Sequence, residues 1–93
     1  VGESRRAELR SADPMTNPYI AYTLLIYAGM YGLEHDLQLC PASDFNVYTA
    51  PAEVLDGLEK LPASLPEAAA LAEASAFIRR HLPEAVISAY CRP

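Results

Sequence analysis

The chain has 93 residues, of which 52% are hydrophobic and 20% are charged, and seven Lys and Arg stand against twelve Asp and Glu, so the formal net charge is -5. This length allows one small domain, and eight Pro with four Gly describe a turn-punctuated globular chain, which excludes a disordered acidic tail and a fibrous repeat. The acidic excess argues against nucleic acid as a partner, because binding a phosphate backbone needs clustered Lys and Arg.

The first predicted element is a short β-strand over Arg5–Arg10. Apolar Ala7 and Leu9 alternate there with charged side chains, which is the period of a strand. A lone strand cannot satisfy its own backbone groups, so we expect it to pair with polypeptide that this sequence does not contain. Asp13-Pro14 predicts a turn after the strand.

A long apolar helix is predicted next, over Tyr19 to about Glu34. Its start is well marked, because the Asn17 side chain can cap the first turn and Pro18 suits the first helical position. The helix is apolar all round and must be covered on several sides, and Gly29 and Gly32 indicate close approach of another backbone. Its apolar stretch would span about 24 Å, less than the roughly 30 Å of a bilayer core, so no membrane span is predicted.

The rest of the chain is predicted as short helices that follow a proline-interrupted connector over Leu37–Ala50. Ser64 and Glu67 have the spacing of a capping box and mark one helix start. The predicted helices run over Pro51–Lys60, Leu65–Ala74, Ala76–His81 and Glu84–Cys91. The sequence therefore predicts a mainly α fold, a small helical domain with one short N-terminal strand.

Arg6, Glu8 and Arg10, here called the charged trio, are the strongest candidates for chemistry. Strand alternation would aim all three at one face, with neighbours about 7 Å apart. Arginine forks match phosphate and carboxylate oxygens, and a carboxylate is a hard ligand for Mg²⁺ or Mn²⁺, so the trio could hold a metal-nucleotide and an anionic substrate. The alternative is a solvated face with two ion pairs worth about 0 to 1 kcal/mol each. Spacing alone leaves both open.

Several stretches resemble the glutamine synthetase family and follow one another in the family's order. Arg5–Tyr19 (RRAELRSADPMTNPY) resembles the late catalytic strand and the helix start after it. The other matching stretches are Ala28–Gly32 (the A-G-x-x-G helix), Asn46–Tyr48 (the N-x-Y connector), Leu61–Ala68 (L-P-x-S-L-x-E-A) and Ala85–Tyr90 (the closing helix). The resemblance implies that residues 1–93 are a C-terminal portion of an α+β catalytic domain.

The resemblance also implies a role for each member of the charged trio. Glu8 would be a ligand of the divalent metal, Mg²⁺ or Mn²⁺, Arg6 would contact the phosphates of ATP, and Arg10 would be catalytic through the glutamate carboxylate and its acyl phosphate. The implied reaction joins glutamate and ammonia through γ-glutamyl phosphate. Residues 1–14 would form a strand and turn at the active-site edge, and residues 15–93 a helical cap behind it.

The implied partners are the rest of the catalytic domain, neighbouring subunits of a ring-shaped homo-oligomer, and glutamate and ammonia as substrates. We expect the isolated chain to be inactive and to hold no metal or ATP, because one carboxylate cannot supply the near-octahedral shell of Mg²⁺. Two alternatives remain open, namely a glutamine-synthetase-like ligase that joins glutamate to another amine, and a non-catalytic helical interaction module.

The remaining candidates are two histidines, a tyrosine and two cysteines. His35 and His81 lie at or after helix ends, which favours structural roles. Tyr48 aligns with a tyrosine that some bacterial relatives adenylylate, but the residues after it differ, so a structural tyrosine is expected. Cys40 and Cys91 lack partners at zinc spacing and follow no export signal, so we expect reduced thiols, no structural metal and a cytoplasmic protein.

Overall fold

The computed structural model describes residues 2–92, and within them the chain is mainly helical, as predicted. Its elements are a 3-10 turn at Gly2–Ser4 and the α-helices α1 (Pro18–Glu34), α2 (Ala52–Asp56), α3 (Leu65–Ala74), α4 (Ala76–His81) and α5 (Glu84–Cys91). The chain divides into two compact units, one ending at Glu34 and the other beginning at His35. Every helix in the described range is too short or insufficiently apolar to cross a lipid bilayer.

The predicted strand over Arg5–Arg10 is wrong, since no β-strand forms among residues 2–92. The segment has no regular secondary structure, and the Arg5 N–H turns back to donate to the Gly2 C=O (3.3 Å). Alternation sets which face a side chain occupies, whereas a strand exists only where a second strand pairs with its backbone. The β part of the implied α+β domain is thus absent from the described residues. The turn predicted after this segment does form, with the Asp13 carboxylate accepting the Met15 N–H (2.7 Å).

The first helix, α1, begins at Pro18 because Asn17 caps it as predicted. The Asn17 Oδ1 accepts the N–H of Tyr19 (2.9 Å) and that of Ile20 (3.4 Å), two of the donors that a helix start leaves unpaired. None of the α1 side chains is buried. A Cβ added at Gly29 or Gly32 would meet nothing within 4 Å, so within its unit no backbone approaches these glycines.

The second helix, α2, is shorter than the one predicted over Pro51–Lys60, since it ends at Asp56. Gly57 follows it, and its N–H donates to the Val54 C=O (3.3 Å), which closes the last turn. Glycine has a low helix propensity, so the helix does not continue through Gly57 and α2 has only five residues. The prediction overran because it extended the helix through this glycine.

Serine caps begin α3 and α4. The Ser64 Oγ accepts the Glu67 N–H (3.3 Å), and the Glu67 carboxylate accepts the N–H of Ala63 (2.9 Å), one residue before the cap. The serine half of the predicted capping box is therefore confirmed, whereas the glutamate reaches back to the Ala63 N–H and not to that of Ser64. The Ser75 Oγ accepts the Ile78 N–H (3.2 Å), and this cap separates α4 from α3.

The three C-terminal helices form the packed part of the second unit. Helix α3 packs against both α4 and α5. Ile87 on α5 is 2% exposed and is the one buried residue in the described range. The side chain of this isoleucine is therefore the centre of a very small core.

Candidate functional site

The structure brings the charged trio together on the segment that precedes α1. One Glu8 oxygen accepts the Nε–H of Arg6 (2.6 Å), and the other accepts an Nη2–H of Arg10 (2.6 Å). An Nη1–H of Arg6 also donates to the backbone C=O of Ser4 (3.1 Å). The carboxylate therefore lies between two guanidiniums although the segment is not a strand.

All three members of the charged trio are open to solvent. The exposed fractions of the side chains are 67% for Arg6, 39% for Glu8 and 86% for Arg10. Ion pairs this exposed are worth about 0 to 1 kcal/mol, so they can break at low cost when a ligand binds to one of the charged groups. An open depression of about 430 Å³, lined by Ser4, Arg5, Arg6 and Glu8, gives a ligand access to two members of the trio, Arg6 and Glu8.

The donor set of the charged trio fits one side of a metal-nucleotide site. The Glu8 carboxylate is a hard oxygen ligand of the kind Mg²⁺ and Mn²⁺ take, and the two arginine forks match phosphate and carboxylate oxygens. Within residues 2–92, no group of three or more His, Cys, Asp or Glu side chains is placed to hold a metal ion. Because Mg²⁺ needs a near-octahedral shell, a metal ion on the single carboxylate of Glu8 would need further ligands.

The histidines and cysteines lie outside the charged trio's segment. The His81 ring packs edge-on against Phe77, with centroids 4.9 Å apart, which is a structural contact within α4. His35 is exposed directly after α1. Cys40 is exposed and Cys91 half-buried, and both are free thiols, so no disulfide joins them.

Tyr48 lies in a turn of the connector between α1 and α2. The Asn46 Oδ1 accepts the Tyr48 N–H (2.9 Å), and the Asn46 C=O accepts the Thr49 N–H (3.2 Å), so the asparagine builds this turn. The Tyr48 ring is 94% exposed and does not contribute to a core of this chain.

Sequence reasoning missed an ion-pair cluster that joins the three C-terminal helices, here called the C-terminal cluster. The Arg92 guanidinium donates to the carboxylates of Glu73 and Glu84, and the Arg79 guanidinium donates to Glu84 (3.0 Å). The Arg92 hydrogen bond holds the pKa of Glu84 below its usual range, against a smaller opposing effect of burial and with help from Arg79, and the Glu73 hydrogen bond raises the pKa of Arg92. No local spacing signals this cluster, because Glu73 and Arg92 meet only once α3 and α5 have packed.

Comparison with known proteins decides the family. A family model described as "Glutamine synthetase, catalytic domain" matches residues 1–93. The chain belongs to this family. The glutamine synthetases of Methanosarcina mazei and Mycobacterium bovis are 33% and 36% identical to it over 91 residues, which cover 96% of this chain and 20% of each relative. That of Rhodobacter capsulatus is 38% identical over 66 residues, 71% of this chain and 15% of the relative. No solved structure matches the chain.

Membership of the glutamine synthetase family confirms the resemblance from which the roles of the charged trio were predicted. The chain spans a fifth or less of the length of these curated relatives, between 15% and 20%. This part of a glutamine synthetase catalytic domain is thus mainly helical, and the charged trio precedes its first long helix, α1.

Proposed function

We propose that the chain is part of an ATP-dependent ligase that forms glutamine from glutamate and ammonia through γ-glutamyl phosphate. The observation that carries the proposal is the charged trio in a glutamine synthetase catalytic domain, where a carboxylate is held between two solvent-exposed guanidiniums. Such a group offers an oxygen ligand and two anion-binding forks within one short segment.

The chemistry of the reaction suits these side chains. An oxygen of the glutamate side chain attacks the γ-phosphorus of ATP and ADP leaves, after which ammonia attacks the acyl carbon and phosphate leaves. Arg6 binds nucleotide phosphates, and Arg10 holds the glutamate carboxylate and then the acyl phosphate, so both fix anions in line for reaction. Glu8 is one ligand of the divalent metal, which neutralises phosphate charge when it is bound.

The rest of the active site belongs, in this proposal, to the remainder of the catalytic domain and to neighbouring subunits of a cytoplasmic homo-oligomer. A single carboxylate leaves most of a magnesium shell to other ligands, so this chain alone is inactive. Calorimetry with the isolated chain and millimolar Mg-ATP should show no saturable binding. Micromolar binding would contradict this.

The test of the proposed function is an assay of the full-length enzyme that contains this chain. With ATP and glutamate, ammonia should give glutamine together with one released phosphate for each glutamine. Product formation with ethanolamine or a polyamine but not with ammonia would replace the proposal with a γ-glutamyl-amine ligase. Absence of an ATP-dependent product with every amine would leave a non-catalytic helical module.

A further inference from the structure

The members of the charged trio are hydrogen-bonded to one another. Both oxygens of Glu8 accept a guanidinium N–H at 2.6 Å, so the two cations that would bind anionic ligands already hold an anion of their own. These charge-assisted hydrogen bonds engage one N–H of each guanidinium, so they weaken anion binding by Arg6 and Arg10 without preventing it. A phosphate or carboxylate that approaches Arg6 or Arg10 must therefore compete with Glu8.

A metal ion on Glu8 changes this competition. A divalent cation bound to the carboxylate would neutralise the negative charge that holds the two guanidiniums and would repel them as a like charge. The exposed arginine side chains can swing away from the carboxylate, because little packing holds them. The same event that occupies Glu8 therefore frees Arg6 and Arg10 to bind anions.

We propose that Glu8 masks Arg6 and Arg10 until a divalent metal takes its carboxylate, and that this exchange couples metal binding to the binding of anionic ligands. The inference rests on the proposed function and adds regulation of the same site. Coupling between two sites is reciprocal, so bound anion strengthens metal binding by the same factor by which bound metal strengthens anion binding. Couplings of this kind are typically about 5-fold to 150-fold.

The test measures ADP binding to the full-length enzyme in the presence of EDTA, so that no metal is bound and no turnover occurs. Masking predicts that Glu8→Gln binds metal-free ADP about fivefold or more tightly than the wild type, because the amide no longer holds the guanidiniums. Glu8→Asp keeps the charge on a shorter side chain that the exposed guanidiniums can still reach, so its affinity for metal-free ADP should lie between those of the wild type and Glu8→Gln.

Glu3→Gln is the matched control, because it removes one negative charge from an exposed position of the neighbouring 3-10 turn. Its metal-free ADP affinity should equal that of the wild type. Equal or weaker ADP binding by Glu8→Gln, or an equal gain in Glu3→Gln, would overturn masking. Masking and the proposed function can fail separately. If the wild type forms glutamine and Glu8→Gln does not, while both bind metal-free ADP equally, the proposed function stands and masking is rejected.

Discussion

Glu8 is the residue whose charge the proposed reaction needs most. Replacing it with glutamine keeps the size of the side chain and removes the oxygen charge that a metal requires, so turnover of the full-length enzyme with Mg²⁺ should fall at least tenfold, about 1.4 kcal/mol of barrier. The side chain is partly exposed and outside the helices, so the circular dichroism spectrum should not change. Glu3→Gln should turn over like the wild type, and unchanged turnover in Glu8→Gln would make Glu8 a bystander.

The charged trio could be predicted from sequence because its members are two residues apart. The Glu8 side chain reaches Arg6 and Arg10 across two residues on either side, and these contacts do not depend on a neighbouring strand. The pair formed by Glu73 and Arg92 could not be predicted, because it depends on the packing of two helices.

At the scale of the element, the N-cap at Ser75 gives a local test of stability. Ser75→Ala removes the oxygen that accepts the Ile78 N–H, which should cost about 1 kcal/mol. If α4 opens locally, exchange of that amide should accelerate about fivefold, as measured by hydrogen exchange with NMR. Ser43→Ala in the exposed connector is the control and should leave the exchange of the Ile78 amide unchanged. The same rate in Ser75→Ala and the wild type would show that the cap does not hold α4.

The packing of α3 against α5 depends on one buried side chain. Ile87→Ala should lower the free energy of unfolding of the C-terminal helices by about 2 kcal/mol, the low end for such a truncation, because so small a core can partly collapse into the space. Urea unfolding followed by circular dichroism measures this loss. Leu71→Ala on α3, where the side chain is 63% exposed, should cost much less, and equal losses would mean that Ile87 is not the centre of the core.

The C-terminal cluster should make the packing of α3, α4 and α5 dependent on pH. The pKa of Glu84 is lowered in the folded chain, chiefly by the Arg92 hydrogen bond, so its ionised form stabilises the fold above its unfolded pKa of about 4.5. That contribution is lost as the pH falls through the lower folded pKa. Urea midpoints measured from pH 6 to pH 3 should therefore drop more for the wild type than for Glu84→Gln. Parallel pH profiles would contradict the cluster's role, and Glu59→Gln in the exposed segment after α2 should follow the wild type.

Helix starts were predictable and the strand was not, for one physical reason. The caps at Asn17 and Ser64 accept hydrogen bonds from amides two or three residues away, so the local sequence is enough to predict them. A strand over residues 5–10 would need hydrogen bonds from another strand, and among the described residues none is available. The helix predicted from Pro51 overran Gly57 because the prediction gave that glycine too little weight.

At the scale of the whole molecule, α1 exposes many large apolar side chains to solvent. Large apolar side chains at helical spacing are exposed along it, namely Tyr19, Tyr22, Ile26, Met30 and Leu33. Contiguous exposed apolar surface promotes association, so the isolated chain should self-associate in a light-scattering concentration series. Ile26→Glu places a charge in the middle of this surface and should reduce association, whereas Glu53→Gln on α2 should not. A strict monomer at every concentration would contradict the prediction.

The central claim is that the charged trio forms one side of a metal-nucleotide site in a glutamine-forming enzyme. A crystal structure of the full-length enzyme with Mg²⁺ and ADP tests it most directly. We predict a Glu8 oxygen about 2.0 to 2.1 Å from the metal, with Arg6 on the phosphates of ADP and both guanidiniums released from Glu8. A structure in which the metal and ADP bind elsewhere, with Glu8 still paired to Arg6 and Arg10, would contradict the claim.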